Sequence, residues 1–221
     1  MGLLHRRAFV SRVAAPLLCA AYAAAGEKER LLFRAQPAET YPAHEAHDGI
    51  VIAADPFDSR VRTRTVFGKT DVLRAGFLPL LVVLTNTTDK TVRLDRLVVQ
   101  LITADRQKIE PTPSGTVMMR ARGGKVTNSP SPSPRSPIPR LGRSKDQGME
   151  LQVHEFNLRM AVPGATISGF FYFDIGAHRE AVIGARLYLT DLLWAHNAQP
   201  LLYYEIELDK ARGGRQGSGR S

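Results

Sequence analysis

Residues 78–109 constrain the fold more than any other stretch: LPLLVVLT runs into the polar sequence Asn86-Thr87-Thr88-Asp89-Lys90-Thr91 and emerges as VRLDRLVVQLITADRQKI. Two β-rich apolar runs flanking a short polar turn predict two long strands of a hairpin in an antiparallel, all-β domain. The first run, residues 77–85, is almost continuously apolar, as expected of a central strand buried on both faces, with Pro79 tolerated only near a strand start or a bulge. A hairpin describes a scaffold and leaves the chemistry open.

Punctuation places the other strands. Residues 49–52 read as a short strand ended by Asp55-Pro56. In residues 60–67, Arg60, Arg62 and Arg64 alternate with Val61, Thr63 and Thr65, which predicts a strand with one solvated face. Residues 91–103 suit one bent strand or two strands split near Asp95, and residues 116–120 a further short one. Met149, Leu151 and Val153 continue the alternation, which then slips by one to Phe156, Leu158 and Met160 and so predicts a bulge near His154-Glu155. Val162-Pro163-Gly164 is a turn. Residues 165–175 follow as a strand with Ile167, Phe171 and Phe173 on one face and Phe170 and Tyr172 on the other. Residues 184–193 and 200–208 supply two more, the first with Ala185, Leu187 and Leu189 inward and the second with Leu202, Tyr204, Ile206 and Leu208 opposite Glu205 and Glu207. No amphipathic helix is expected after residue 25. The sum is an antiparallel immunoglobulin-like β-sandwich of about seven to nine strands over residues 49–209, with closure into a barrel as the structural alternative. At 221 residues and 43% hydrophobic content, one substantial core is affordable and two would be cramped.

Residues 1–25 have the order of an export signal: basic His5, Arg6, Arg7 and Arg12, the apolar run VAAPLLCAAYAAA, and Ala23-Ala24-Ala25 before Gly26. The apolar run spans 13 residues, short of the roughly 18–20 that cross a bilayer as a helix, so cleavage is favoured over an uncleaved anchor or a buried N-terminal helix. The only cysteine, Cys19, lies inside this segment behind Leu18, a poor lipidation context. Cleavage leaves a protein without disulfides, thiol nucleophile or thiolate metal site, suited to a periplasmic or extracellular location. Residues 26–48 read as an extended N-terminal arm with a possible edge strand.

The net charge of +9 invites a nucleic-acid reading until the cations are located. Arg6, Arg7 and Arg12 depart with the leader. Residues 120–146 hold Arg120, Arg122, Lys125, Arg135, Arg140, Arg143 and Lys145 against Asp146 alone, and residues 210–221 hold Lys210, Arg212, Arg215 and Arg220 with no acid. The strand-forming remainder is mildly acidic. Residues 122–148, with Ser129-Pro130-Ser131-Pro132-Ser133-Pro134, Pro137 and Pro139, predict a long disordered Ser/Pro loop, and residues 210–221 a disordered basic tail. Charge in such segments, without interleaved aromatics, excludes specific nucleic-acid binding as the leading reading.

Candidate chemistry is thin. His44-Glu45-Ala46-His47-Asp48 is the densest group of potential metal ligands, yet HEAH is not the HExxH spacing and no third ligand is evident, so exposed polar residues are the stronger reading. A metal-dependent hydrolase built on His44, His47 and nearby carboxylates is the rival from the enzyme class. His154, His178 and His196 with Asp174, Asp191 and Ser168 offer only the triad combinations that any chain of this size contains, and Ser168 stands in no G-x-S-x-G elbow. No cofactor is expected. Among the aromatics, Phe171 and Phe173 are assigned to the core, whereas Phe170, Tyr172 and Tyr203, in the opposite phase, are the candidate partner surface.

The segments PLLVVLTNTTDKTVRLDRLVVQLITADRQKI, AVPGATISGFFYFDI, ARLYLTDL and PLLYYEIEL resemble a group of exported bacterial proteins of uncharacterised role with an immunoglobulin-like β-domain, and more distantly telokin-like extracellular domains. The resemblance spans about residues 60–209, implies a sandwich and assigns no catalytic residue. The expected function is a non-catalytic interaction or structural module of the cell envelope that meets an envelope protein or a glycan and does not span the membrane after cleavage; a glycan-binding domain is the alternative.

Overall fold

The long apolar strand is the centre of the molecule because it has neighbours on both faces. In the computed structural model, which describes residues 33–123, 149–176 and 182–211, β3 (Phe77–Asn86) is buried along all ten residues. It lies between β2 (Ile50–Pro56) and β8 (Thr166–Asp174), and β1 (His44–His47) closes the far edge, giving a sheet ordered β1-β2-β3-β8. A second four-stranded sheet is ordered β11-β9-β5-β6, from β5 (Val98–Ile102), β6 (Lys108–Ile109), β9 (Arg186–Thr190) and β11 (Tyr204–Glu207). A smaller sheet joins β10 (Leu193–Trp194), β4 (Val92–Arg93) and β7 (Met160–Ala161). Every strand pairing in the three sheets is antiparallel. The fold is therefore an antiparallel β-sandwich, with seven strands of four residues or more among the described residues and four two-residue ones.

Alternation along β3 divides the core. Leu78, Leu80, Val82 and Leu84 meet Val99 and Leu101 of β5, Leu187 and Leu189 of β9, and Tyr204 and Ile206 of β11 across the sandwich. Phe77, Leu81 and Val83 point the other way, into a second cluster with Phe57, Phe67, Val117, Leu151, Phe170 and Tyr172. Helices supply the outer wall of that cluster, which explains how one strand stays apolar on both faces.

Three short helices replace expected strands. Arg60–Phe67 is helix α1, although its side chains alternate as in a strand. Ser59, in extended conformation, accepts a hydrogen bond from the Arg62 N–H, and Gly68 ends the helix at φ 57°. The helix turns Thr63, Val66 and Phe67 inward and leaves Val61 77% exposed. Arg62 fastens it to β2 through Asp55, with Nη–Oδ distances of 3.1 and 2.5 Å, and lies 3.9 Å over the Phe57 ring. Ser114–Ala121 is α2, where a short strand was expected. The Glu155 carboxylate, far along the chain, accepts from the Ser114 N–H at 2.9 Å and its hydroxyl at 2.6 Å, capping the helix start. Met149–Val153 is α3, with Leu151 fully buried, so the slip after Val153 marks the exit from a helix rather than a bulge within a strand.

The 78–109 stretch also pairs differently from a single hairpin. β3 bonds to β2 and β8, whereas β4 and β5, which follow the polar turn, join the other two sheets. The turn therefore carries the chain from one sheet to another, and the split near Asp95 separates β4 from β5. Asn86, fully buried, locks the crossing: its Nδ2 donates to the carbonyls of Lys90, Ala161 and Val162, and its Oδ1 accepts from the Thr88 N–H and hydroxyl. The hairpin within this stretch lies later, between β5 and β6, where Thr103 N–H donates to the Gln107 carbonyl at 3.0 Å.

Gly169 marks a close crossing. A Cβ there would stand 2.5 Å from Phe156 Cα and 2.8 Å from Phe156 N, and both are backbone atoms. Gly169→Ala is expected to cost about 1–3 kcal/mol or more, read as a lowered denaturant midpoint, since the 154–156 segment hydrogen-bonded to Phe170 must shift.

The sequence expectations for residues 1–25, for most of the Ser/Pro loop and for the tail beyond residue 211 fall outside the described residues. No helix among the described residues is long and apolar enough to cross a membrane.

Candidate interaction surface

The HEAH segment forms edge strand β1, so His44 and His47, three apart, fall on opposite faces instead of on one helical turn. His44 Nδ1 lies 2.6 Å from the Tyr41 carbonyl, and His47 Nε2 lies 2.8 Å from Glu45 Oε1. Glu45 Oε2 accepts from the Glu205 N–H at 2.6 Å, while the Tyr204 hydroxyl is 3.2 Å from the His47 carbonyl and 3.3 Å from that of Ile50. These residues tie β1 to β11, one edge strand from each facing sheet. Among the described residues, no three His, Cys, Asp or Glu side chains gather as a metal site would require.

Among the described residues, Ser168 and Asp174 do not come together either. Ser168 and Asp174 sit six residues apart on β8, roughly 20 Å along an extended strand. Asp174 is engaged by Arg120 at 2.5 Å. His154 packs its ring near Phe67 and Phe170, where burial holds its pKa below the usual histidine value against the opposing pull of Glu150. The His196 ring sits 6.3 Å from that of Trp194, and His178 lies outside the described residues.

Two of the three expected partner-surface residues are interior. Phe170 is 1% exposed and Tyr172 is 0% exposed, because the helical layer covers the β8 face that the period-2 pattern left open. The Phe170 ring meets Phe57 at 4.9 Å and Phe67 at 5.0 Å, and the Tyr172 hydroxyl donates to the Leu151 carbonyl at 2.8 Å. The facing of β8 itself follows the alternation, with Phe173 buried and Ile167 and Phe171 partly buried in the sandwich core.

Tyr203 is different. It is 51% exposed, and its ring lies 5.5 Å from that of Tyr188 with the planes inclined at 33°. Register places Gln100, Tyr188 and Glu205 side by side across β5, β9 and β11, on the face opposite the core residues Leu101, Leu187, Leu189, Tyr204 and Ile206. Arg186 Nη1 bonds Glu205 Oε1 at 2.6 Å on the same face, and Leu202 is exposed beside Tyr203. The result is a two-tyrosine ledge flanked by an amide and an ion pair. Tyr188 was missed in the sequence, although its phase between inward Leu187 and Leu189 marks it as outward-facing.

Two other tyrosines are buried, and burial raises both phenols far above their ordinary pKa of about 10: Tyr172 against the helices, reinforced by Glu155, and Tyr204 at the seam, reinforced by Asp48 and Glu45. A folded-state pKa above the unfolded one favours the fold below about pH 10 and is lost as pH rises beyond it. Stability is therefore expected to fall above pH 10, with Tyr172 and Tyr204 ionising only as the protein unfolds, a result readable from phenolate absorbance recorded alongside circular dichroism.

No family model matches the chain, and no curated protein matches it. Among solved structures, it is similar to a conserved hypothetical protein from Bacillus anthracis, at 11% identity and a TM-score of 0.29 over 66% of this chain and 84% of that one. It is also similar to an uncharacterised β-sandwich protein from Clostridium difficile 630, at 10% identity and a TM-score of 0.30 over 75% of this chain and 90% of that one.

Proposed function

We propose that this chain is an exported, non-catalytic interaction module of the cell envelope, and that it meets its partner through the Tyr188/Tyr203 ledge on the outer face of the β11-β9-β5-β6 sheet. The tyrosine pair carries this reading, with Tyr203 exposed and Tyr188 half-buried beside it: tyrosine offers a large, rigid contact with a polar tip, and buried tyrosines rank among the strongest contributors at interfaces. The residues best suited to catalysis support it from the other side: Glu45 joins β1 to β11 and Glu155 holds the start of α2, while His44 and His47 make local contacts with Tyr41 and Glu45. The leader-like order of residues 1–25 supports export, and a mature N-terminus at Gly26, read by mass spectrometry, tests it.

The test of the surface is a pull-down from the envelope fraction with the full chain and its Tyr203→Ala and Tyr188→Ala variants. Capture of a protein weakened at least about tenfold by either variant is expected, the loss typical of a central interface tyrosine. Capture indifferent to both would contradict the reading. Glycan binding is the second reading, favoured by the polar groups Gln100, Arg186 and Glu205 around the two rings; retention on purified peptidoglycan, lost with Tyr203→Ala, would select it over a protein partner.

A further inference from the structure

A concave surface lies away from the tyrosine ledge, between residues 68–76 and the end of α2. It encloses about 500 Å³ and is lined by Lys69, Arg74, Arg120 and Arg122 with one acid, Asp71. Asp71 is already engaged: Oδ1 accepts from the Arg74 backbone N–H at 3.0 Å, and Oδ2 lies 3.5 Å from Arg60 Nε. Arg120 is oriented by Asp174 and lies 4.6 Å over the Phe77 ring. Neither Lys69 nor Arg74 forms an ion pair with a described residue, and both are exposed.

The loop that presents them is rigidly built. Val72 and Leu73 are buried in the core, and backbone hydrogen bonds from Thr70, Val72, Ala75, Gly76 and Phe77 close it on itself and onto the end of α1. Gly76, at φ 86°, comes close enough to Gly176 that a Cβ would stand 3.0 Å from its carbonyl oxygen. Cations on an ordered frame around a concavity focus positive potential without reorganising when a ligand enters. The volume falls within the usual range of small-molecule sites, about 300–1,000 Å³, and guanidinium forks match phosphate oxygens in bidentate fashion.

We propose that this cleft binds a compact phosphate-bearing anion, held by Lys69, Arg74 and Arg120. The phosphate comes from a soluble ligand or from a lipid headgroup, and the experiment separates the two. Calorimetry with pyrophosphate as the soluble probe and flotation with phosphatidylglycerol vesicles, against phosphatidylcholine vesicles as control, are carried out on the full chain, on Lys69→Ala/Arg74→Ala and on Lys108→Ala. Both cleft side chains are exposed, so the double variant keeps the wild-type melting temperature, which is checked first. Binding to pyrophosphate or to phosphatidylglycerol alone, weakened by raised salt, reduced at least about tenfold in the double variant and retained in Lys108→Ala, is expected; whichever probe binds identifies the source. Absence of binding to both, or binding that the double variant retains, overturns the proposal.

Discussion

Replacing Asn86 with leucine is expected to destabilise the protein by about 3 kcal/mol or more and to lower its melting temperature by roughly 10 °C. The side chain is fully buried and makes five hydrogen bonds, three as donor to carbonyls on either side of the sheet crossing and two as acceptor from Thr88. Leucine keeps similar bulk but removes the amide donor from all three carbonyls: Val162 O still accepts from the Ala165 N–H and Lys90 O from the Thr88 hydroxyl, while the Ala161 carbonyl and the Thr88 N–H lose the Asn86 partner, a loss of about 1–3 kcal/mol for each buried group where water is excluded. Asn86→Asp separates the two halves of the role: it can still accept from Thr88 but sets a carboxylate against carbonyl oxygens, so it is expected to be at least as damaging near neutral pH. A leucine variant within about 0.5 kcal/mol of the parent in urea unfolding would contradict the crossing and favour a simple hairpin, whose polar turn tolerates such changes.

Phe170→Ala is the second large effect, expected at about 3–5 kcal/mol. The ring fills the space between β8 and the helical layer, against Phe33, Phe57 and Phe67, and its removal leaves a cavity that three separate chain segments would have to collapse to fill. Tyr203→Ala should change stability by no more than about 0.5 kcal/mol, because half of that side chain is already in water. The pair thus separates a structural aromatic from a surface one. Equal and small effects at both positions would mean that Phe170 is exposed, and the helical layer would be wrong.

The contrast between these two aromatics also shows where sequence reading succeeds. β3 was recognisable because the nearly continuous apolar run of residues 77–85 suits a strand covered on both faces, and all ten residues of β3 are buried. Tyr203, in the phase opposite to Tyr204 and Ile206, is exposed as expected just before β11, whereas Leu202, expected inward with them, is 57% exposed because the alternation holds only from Tyr204, where the strand begins. Phe170 and Tyr172 were assigned to the correct face of β8, and the error lay in what covers that face. Helices of eight and five residues complete too few turns to display a 3.6-residue period, and the β-branched alternation of residues 60–67 imitates a strand. Ser59 before α1 and Gly68 after it were the available signals, and both are local caps rather than patterns. The 86–91 turn was misread for a different reason: the same polar residues serve a hairpin or a crossing between sheets, and the choice rests on Asn86 reaching Ala161 and Val162, 75 and 76 residues away.

The central claim is that the tyrosine ledge, and not the β8 aromatic face, meets the partner. Tyrosine nitration of the native full chain, read by mass spectrometry with and without the envelope fraction, tests it most directly. Tyr203 should react in the free protein and be protected when the envelope fraction is added, while Tyr172 stays unmodified in both. Nitration of Tyr172 in the folded protein, or equal reactivity of Tyr203 in both conditions, would contradict the account.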